Sequence, residues 1–104
     1  MGSLTARPRL FARVIELQQQ DLESQELRVE LPEDWSVGRD QGLRFQGKLF
    51  VPEVSREDVL ADFHRSKFAI HPGGTKMYRA LRDQFWWRGM KASVAHFMAK
   101  CLTC

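Results

Sequence analysis

Four residues in the second half of this 104-residue chain have the types and spacing to hold a metal ion. His64 and His71 are separated by six residues, and 29 more lie between His71 and the Cys101-Leu-Thr-Cys104 stretch. Neutral imidazole and thiolate are the donors that Zn²⁺ prefers, and four of them complete a closed tetrahedral structural site. A Cys-x-x-Cys turn lets both sulfurs face one ion. Six intervening residues are enough to bring the second histidine back through a turn. The long middle gap must then fold as a hairpin of helices to join the two pairs.

Other uses of these residues fit less well. Two cysteines in 104 residues are too sparse for a secreted disulfide scaffold. A redox pair wants a strand before the motif and a helix opening at its first cysteine. Here a helical pattern precedes Cys101 instead. His96 lies five residues before Cys101, about 140° around a helix axis at 3.6 residues per turn, and so points elsewhere.

The apolar fraction of 43% is that of an ordinary small folded domain. No run approaches the length of a membrane span, and the first residues lack the apolar stretch of a secretory signal. An intracellular protein with reduced cysteines, nuclear if it acts on DNA there, is the expectation. The charge is divided: residues 1–63 carry 8 Lys/Arg against 12 Asp/Glu, whereas residues 64–104 carry 8 against Asp83 alone. A concentrated positive field among aromatic residues fits an anionic partner, nucleic acid first. A merely solvated basic face is the plain alternative.

The elements that must position the four donors follow from periodicity. Leu10, Phe11, Val14, Ile15, Leu17, Leu22 and Leu27 recur at helical spacing, predicting a helix over about 8–20 that breaks near Asp21 and resumes to Glu30. Pro8 suits the first turn, and Leu31-Pro32 ends the run. Trp35, Val37, Leu43, Phe45, Leu49 and Val51 then alternate with polar residues, as strands do. Turns at Asp40-Gln41-Gly42 and Gln46-Gly47 make a small antiparallel meander, the second being a two-residue hairpin.

Ser55 reads as a helix cap, with Asp58 approximating a capping box and Val54 stapling to Val59. Val59, Leu60 and Phe63 form the buried stripe of a helix that carries His64 near its end, where the helix dipole is negative. His71-Pro72-Gly73-Gly74 reverses the chain. Thr75 caps a helix expected to run through Phe85, with Met77, Tyr78, Leu81 and Phe85 inward. Lys76, Arg79 and Arg82 fall on its outer side. Trp86-Trp87-Arg88-Gly89 interrupts, and Met90–Lys100 forms the last helix, with Val94, Phe97 and Met98 inward. So small a core gains from metal ligation, which supplies on the order of 10 kcal/mol to folding.

His64…His71-Pro-Gly-Gly-Thr-Lys-Met-Tyr…Phe85-Trp-Trp…Met90-Lys…Val94…Phe97…Cys101-x-x-Cys104 resembles the N-terminal zinc-binding domain of retroviral-type integrases. It is similar, more narrowly, to the version in pol polyproteins of gypsy-type LTR retrotransposons, in wording nearest to plant elements. The resemblance covers 54–104, and the hairpin over 41–52 looks like the strand pair that precedes the motif there. It implies Zn²⁺ held by His64, His71, Cys101 and Cys104, and a role in integrase multimerisation and DNA engagement. The partners implied are DNA, further copies of the module or the integrase core, with no membrane. The expected fold is mainly α with a small antiparallel hairpin or meander. Its expected divisions are a helical connector over 1–34, the hairpin over 35–53 and the zinc domain over 54–104. Lys76, Arg79, Arg82, Arg88 and Lys91 are the candidate DNA-contacting residues. The Asp-Asp-Glu core that follows in the family is absent from these 104 residues, so a non-catalytic module is expected. A structural or protein-interaction zinc domain of a host protein, or an inactive remnant, is the alternative.

Overall fold

The computed structural model of the chain describes residues 8–65 and 73–100, and the side chains within 9–63 and 78–100. Two helices come first, α1 (Pro8–Gln20) and α2 (Leu22–Val29), divided at Asp21 as the periodicity predicts. Asp21 makes the break useful. Its carboxylate accepts from the Ser24 backbone N–H at 2.9 Å and so caps α2.

Three short strands follow, β1 (Trp35–Val37), β2 (Leu43–Phe45) and β3 (Lys48–Phe50), as an antiparallel meander. The β2–β3 turn is the expected two-residue hairpin. Gln46 at φ 52° and Gly47 at φ 83° both take the left-handed region that such a turn demands. In the β1–β2 connection, Arg44 donates to both Asp40 carboxylate oxygens at 2.9 and 3.0 Å. The Gly42 N–H adds a third bond at 2.9 Å. Hydrogen bonds from Arg44 and Gly42 hold the Asp40 carboxyl down at about 2.

A single turn of 3-10 helix at Glu53–Ser55 leads into α3 (Arg56–Arg65). The expected cap at Ser55 does not form. Its hydroxyl donates back to the Pro52 carbonyl at 3.2 Å, inside the preceding turn. Val54 is 71% exposed, so it staples to nothing.

The chain continues through α4 (Gly73–Arg82), β4 (Phe85–Trp86) and α5 (Met90–Lys100). Here the structure corrects two expectations. Thr75 lies within α4 rather than capping it, and the helix ends at Arg82 instead of continuing to Phe85. Phe85 and Trp86 join β3 as a parallel fourth strand, so the sheet is mixed, in the order β1-β2-β3-β4. The physical reason is the open edge of β3. Its Leu49 N–H, and the Val51 N–H just beyond it, need acceptors, and the Gln84 and Trp86 carbonyls supply them at 2.9 and 3.0 Å. Aromatic side chains also favour a pleated, half-buried surface.

One core joins all of this. Leu10 and Val14 of α1 are buried in the same cluster as Leu49, Phe50, Val59, Phe63, Leu81, Phe85, Trp87 and Val94. Phe85 sits at the junction, its ring centroid 5.0 Å from that of Phe11 and 5.8 Å from that of Phe63. Residues 8–29 therefore pack into the same core as the later helices. No helix among the described residues is long and apolar enough to cross a membrane.

The fully buried Gln18 fixes α1 to the sheet. Its amide nitrogen donates to the Leu43 and Phe50 carbonyls at 3.1 and 2.7 Å. Its amide oxygen accepts from the Leu43 N–H at 2.8 Å and from Arg28 at 3.1 Å. The side chain thus takes up ladder groups where β2 and β3 part. Gln18→Met keeps the bulk but orphans those peptide groups, and should cost about 2–3 kcal/mol. Urea denaturation checks this; a loss below about 0.5 kcal/mol, the level of an ordinary surface change, would mean the amide is not the anchor.

Candidate metal centre and basic cleft

The helices that flank the donor residues set out from one corner. Arg56, the first residue of α3, holds its guanidinium 6.0 Å from the Trp87 ring centroid. It also donates from Nε to the Val51 carbonyl at 3.0 Å. Burial lowers the Arg56 pKa from the usual arginine value, opposed by the charges of Glu23, Glu53 and Asp21. Trp87 in turn donates from Nε1 to the Ser93 hydroxyl, in the opening turn of α5, at 3.0 Å. Gly89, at φ 79°, turns the chain between Trp87 and that helix.

From this corner α3 and α5 keep company. One hollow between them is lined by Arg56, Leu60, Ser93 and Phe97, and the next by Asp58, Ala61, Phe97 and Lys100. Glu57, Phe97 and Lys100 line both hollows, so the two helices pack side by side over this stretch. Lys100 reaches back from the end of α5 to Glu57, Nζ to Oε2 at 3.4 Å.

His64 is the penultimate residue of α3, and α5 ends at Lys100, immediately before Cys101 in sequence. His71, Cys101 and Cys104 lie outside the described residues, as do the side chains of His64 and Lys76. Among the described residues, no three His, Cys, Asp or Glu side chains gather to hold a metal. His96 is exposed on α5, beside Arg56 and Lys100. The donor chemistry fits zinc: two imidazoles and two thiolates match a borderline-soft, tetrahedral ion.

The basic residues divide. Arg79 is exposed on α4. Arg82, Arg88 and Lys91 line one open cleft of about 700 Å³, together with Lys48 from the start of β3. Lys48 is missing from the sequence reading because it stands far from the other cations along the chain. Only the pairing of β3 with β4 brings it to them. Tyr78 and Trp86 complete much of the wall, and the Arg82 guanidinium lies 5.6 Å from the Tyr78 ring centroid.

Residues 51–104 match the integrase zinc-binding domain family. No curated protein matches the chain.

Proposed function

Because the chain belongs to the integrase zinc-binding domain family, we propose that it is the non-catalytic zinc module of a gypsy-type LTR retrotransposon integrase, plant-like in wording, encoded in a pol polyprotein. His64, His71, Cys101 and Cys104 hold one Zn²⁺, which closes the C-terminal ends of α3 and α5 against each other. The ion supplies structure rather than reaction chemistry. The observation that carries this reading is the family match, which spans all four donors. The chemistry of the four donors supports it.

The module's task in this reading is to hold DNA, and to join further copies or the integrase core, during integration. The charge division favours DNA: the segment from 64 onward has one acidic residue against 8 basic ones. Phosphates neutralised by lysine and arginine release counterions, so affinity for duplex DNA should fall with salt at a log–log slope of about −0.9 per phosphate contacted. Changing Arg79 and Arg82 together to alanine should reduce that slope by about two if each meets a phosphate, with zinc content unchanged. Binding titrations at several salt concentrations decide it. Equal slopes and equal affinities in the two proteins would remove this face from the DNA surface.

A four-ligand site leaves no open metal position for water or substrate. The purified chain should therefore neither cut nor join element-end DNA. A cleavage or joining activity that co-purifies with the chain and vanishes on a point change within it would overturn the non-catalytic reading.

A further inference from the structure

The cleft beside the hairpin turn is built for more than phosphate. Lys48, Arg82, Arg88 and Lys91 line it against the single carboxylate of Asp83. Its volume of about 700 Å³ lies within the roughly 300–1,000 Å³ typical of clefts that take small organic groups. Trp86 forms part of the wall and is only half-buried. Other rings hold it in place: the Phe45 centroid lies 4.3 Å away at an interplanar angle of 32°, and Trp35 meets it edge-on at 5.6 Å and 88°. A ring fixed in this way loses little freedom when a flat partner stacks on it.

Cations alone would suit any polyanion, duplex DNA included. A duplex, however, keeps its base faces inside its own stack and offers an aromatic wall nothing to bind. A strand with unpaired bases offers both phosphates and π-faces, the pairing that single-strand grooves exploit. Charge and aromatic surface meet at one place here because β4 sets Trp86 beside β3, while the turn after β4 carries Arg88 and the start of α5 carries Lys91.

We propose that this cleft binds single-stranded DNA, with Lys48, Arg82, Arg88 and Lys91 along the phosphates and one unpaired base stacked on Trp86. The inference rests on the reading of DNA as the partner and adds the form in which the DNA is held.

Three probes of equal length test it on the whole zinc-loaded chain at one low salt concentration: oligothymidylate, an abasic strand and a duplex. Oligothymidylate should bind at least about fivefold more tightly than the abasic strand, the lower end of what stacking one base contributes, and should quench tryptophan emission. Trp86→Ala should erase that difference. Lys48→Ala combined with Arg88→Ala should weaken both single strands by the same factor. Equal binding of the base-bearing and abasic strands, or tighter binding of the duplex, would overturn the cleft inference and leave DNA binding in place. Failure of all three probes to bind would overturn both. Should Trp86→Ala not fold, the comparison of the two strands on the unaltered protein is decisive.

Discussion

His71→Ala and Cys104→Ser should each release most of the bound zinc and loosen residues 55 to 104, whereas His96→Ala should do neither. The size of the effect follows from the coupling of metal binding to folding. Structural zinc contributes on the order of 10 kcal/mol at neutral pH, comparable with the roughly 5–15 kcal/mol that a small domain has in total. Removing one donor of four leaves a site that binds weakly and no longer ties the end of α3 to the end of α5. His96 is exposed on α5, so its removal takes away neither a donor nor core packing. Zinc content measured beside helical circular dichroism separates the cases. Full zinc and full helicity after losing His71 or Cys104 would sink the ligand assignment.

Phe85→Ala should cost about 3–5 kcal/mol while leaving the zinc stoichiometry unchanged. Phe85 is fully buried and joins elements from opposite ends of the sequence, through Phe11 on α1 and Phe63 on α3. Neither neighbour can collapse into the void without dragging its helix off the sheet. For a domain of this size each kcal/mol moves the melting temperature by about 4–8 °C, so the midpoint should fall by more than about 10 °C. A shift of only a few degrees with zinc still bound would mean that α1 packs elsewhere. The two predictions are separable: the first removes metal and structure together, and the second removes stability alone.

Much of this was legible before any coordinates. The break at Asp21 and the Gln46-Gly47 hairpin follow from local chemistry, a capping carboxylate and a turn that demands positive φ. Phe85 shows where such reasoning stops. It continues the spacing of Met77, Tyr78 and Leu81, so periodicity extends the helix through it. What ends the helix lies more than thirty residues earlier, in the unpaired N–H groups of β3 and the residue after it. Ser55 fails in the same way, since a hydroxyl can accept at a helix start or donate into the turn before it. Gln18 is one of three consecutive glutamines, and nothing in that run marks the one that is buried. Of the site, the spacing of His64, His71, Cys101 and Cys104 proposes a donor set, but His71, Cys101 and Cys104 lie outside the described residues. The cleft was not legible, because Lys48 reaches it only through strand pairing.

The central claim is one zinc ion held by two histidines and two cysteines. X-ray absorption at the zinc edge of the purified chain, with metal content measured on the same sample, tests it most directly. The account predicts one zinc per chain with two sulfur neighbours at about 2.3 Å and two nitrogen neighbours at about 2.0–2.1 Å. A protein that folds without zinc, or a zinc shell of nitrogen and oxygen alone, would contradict it.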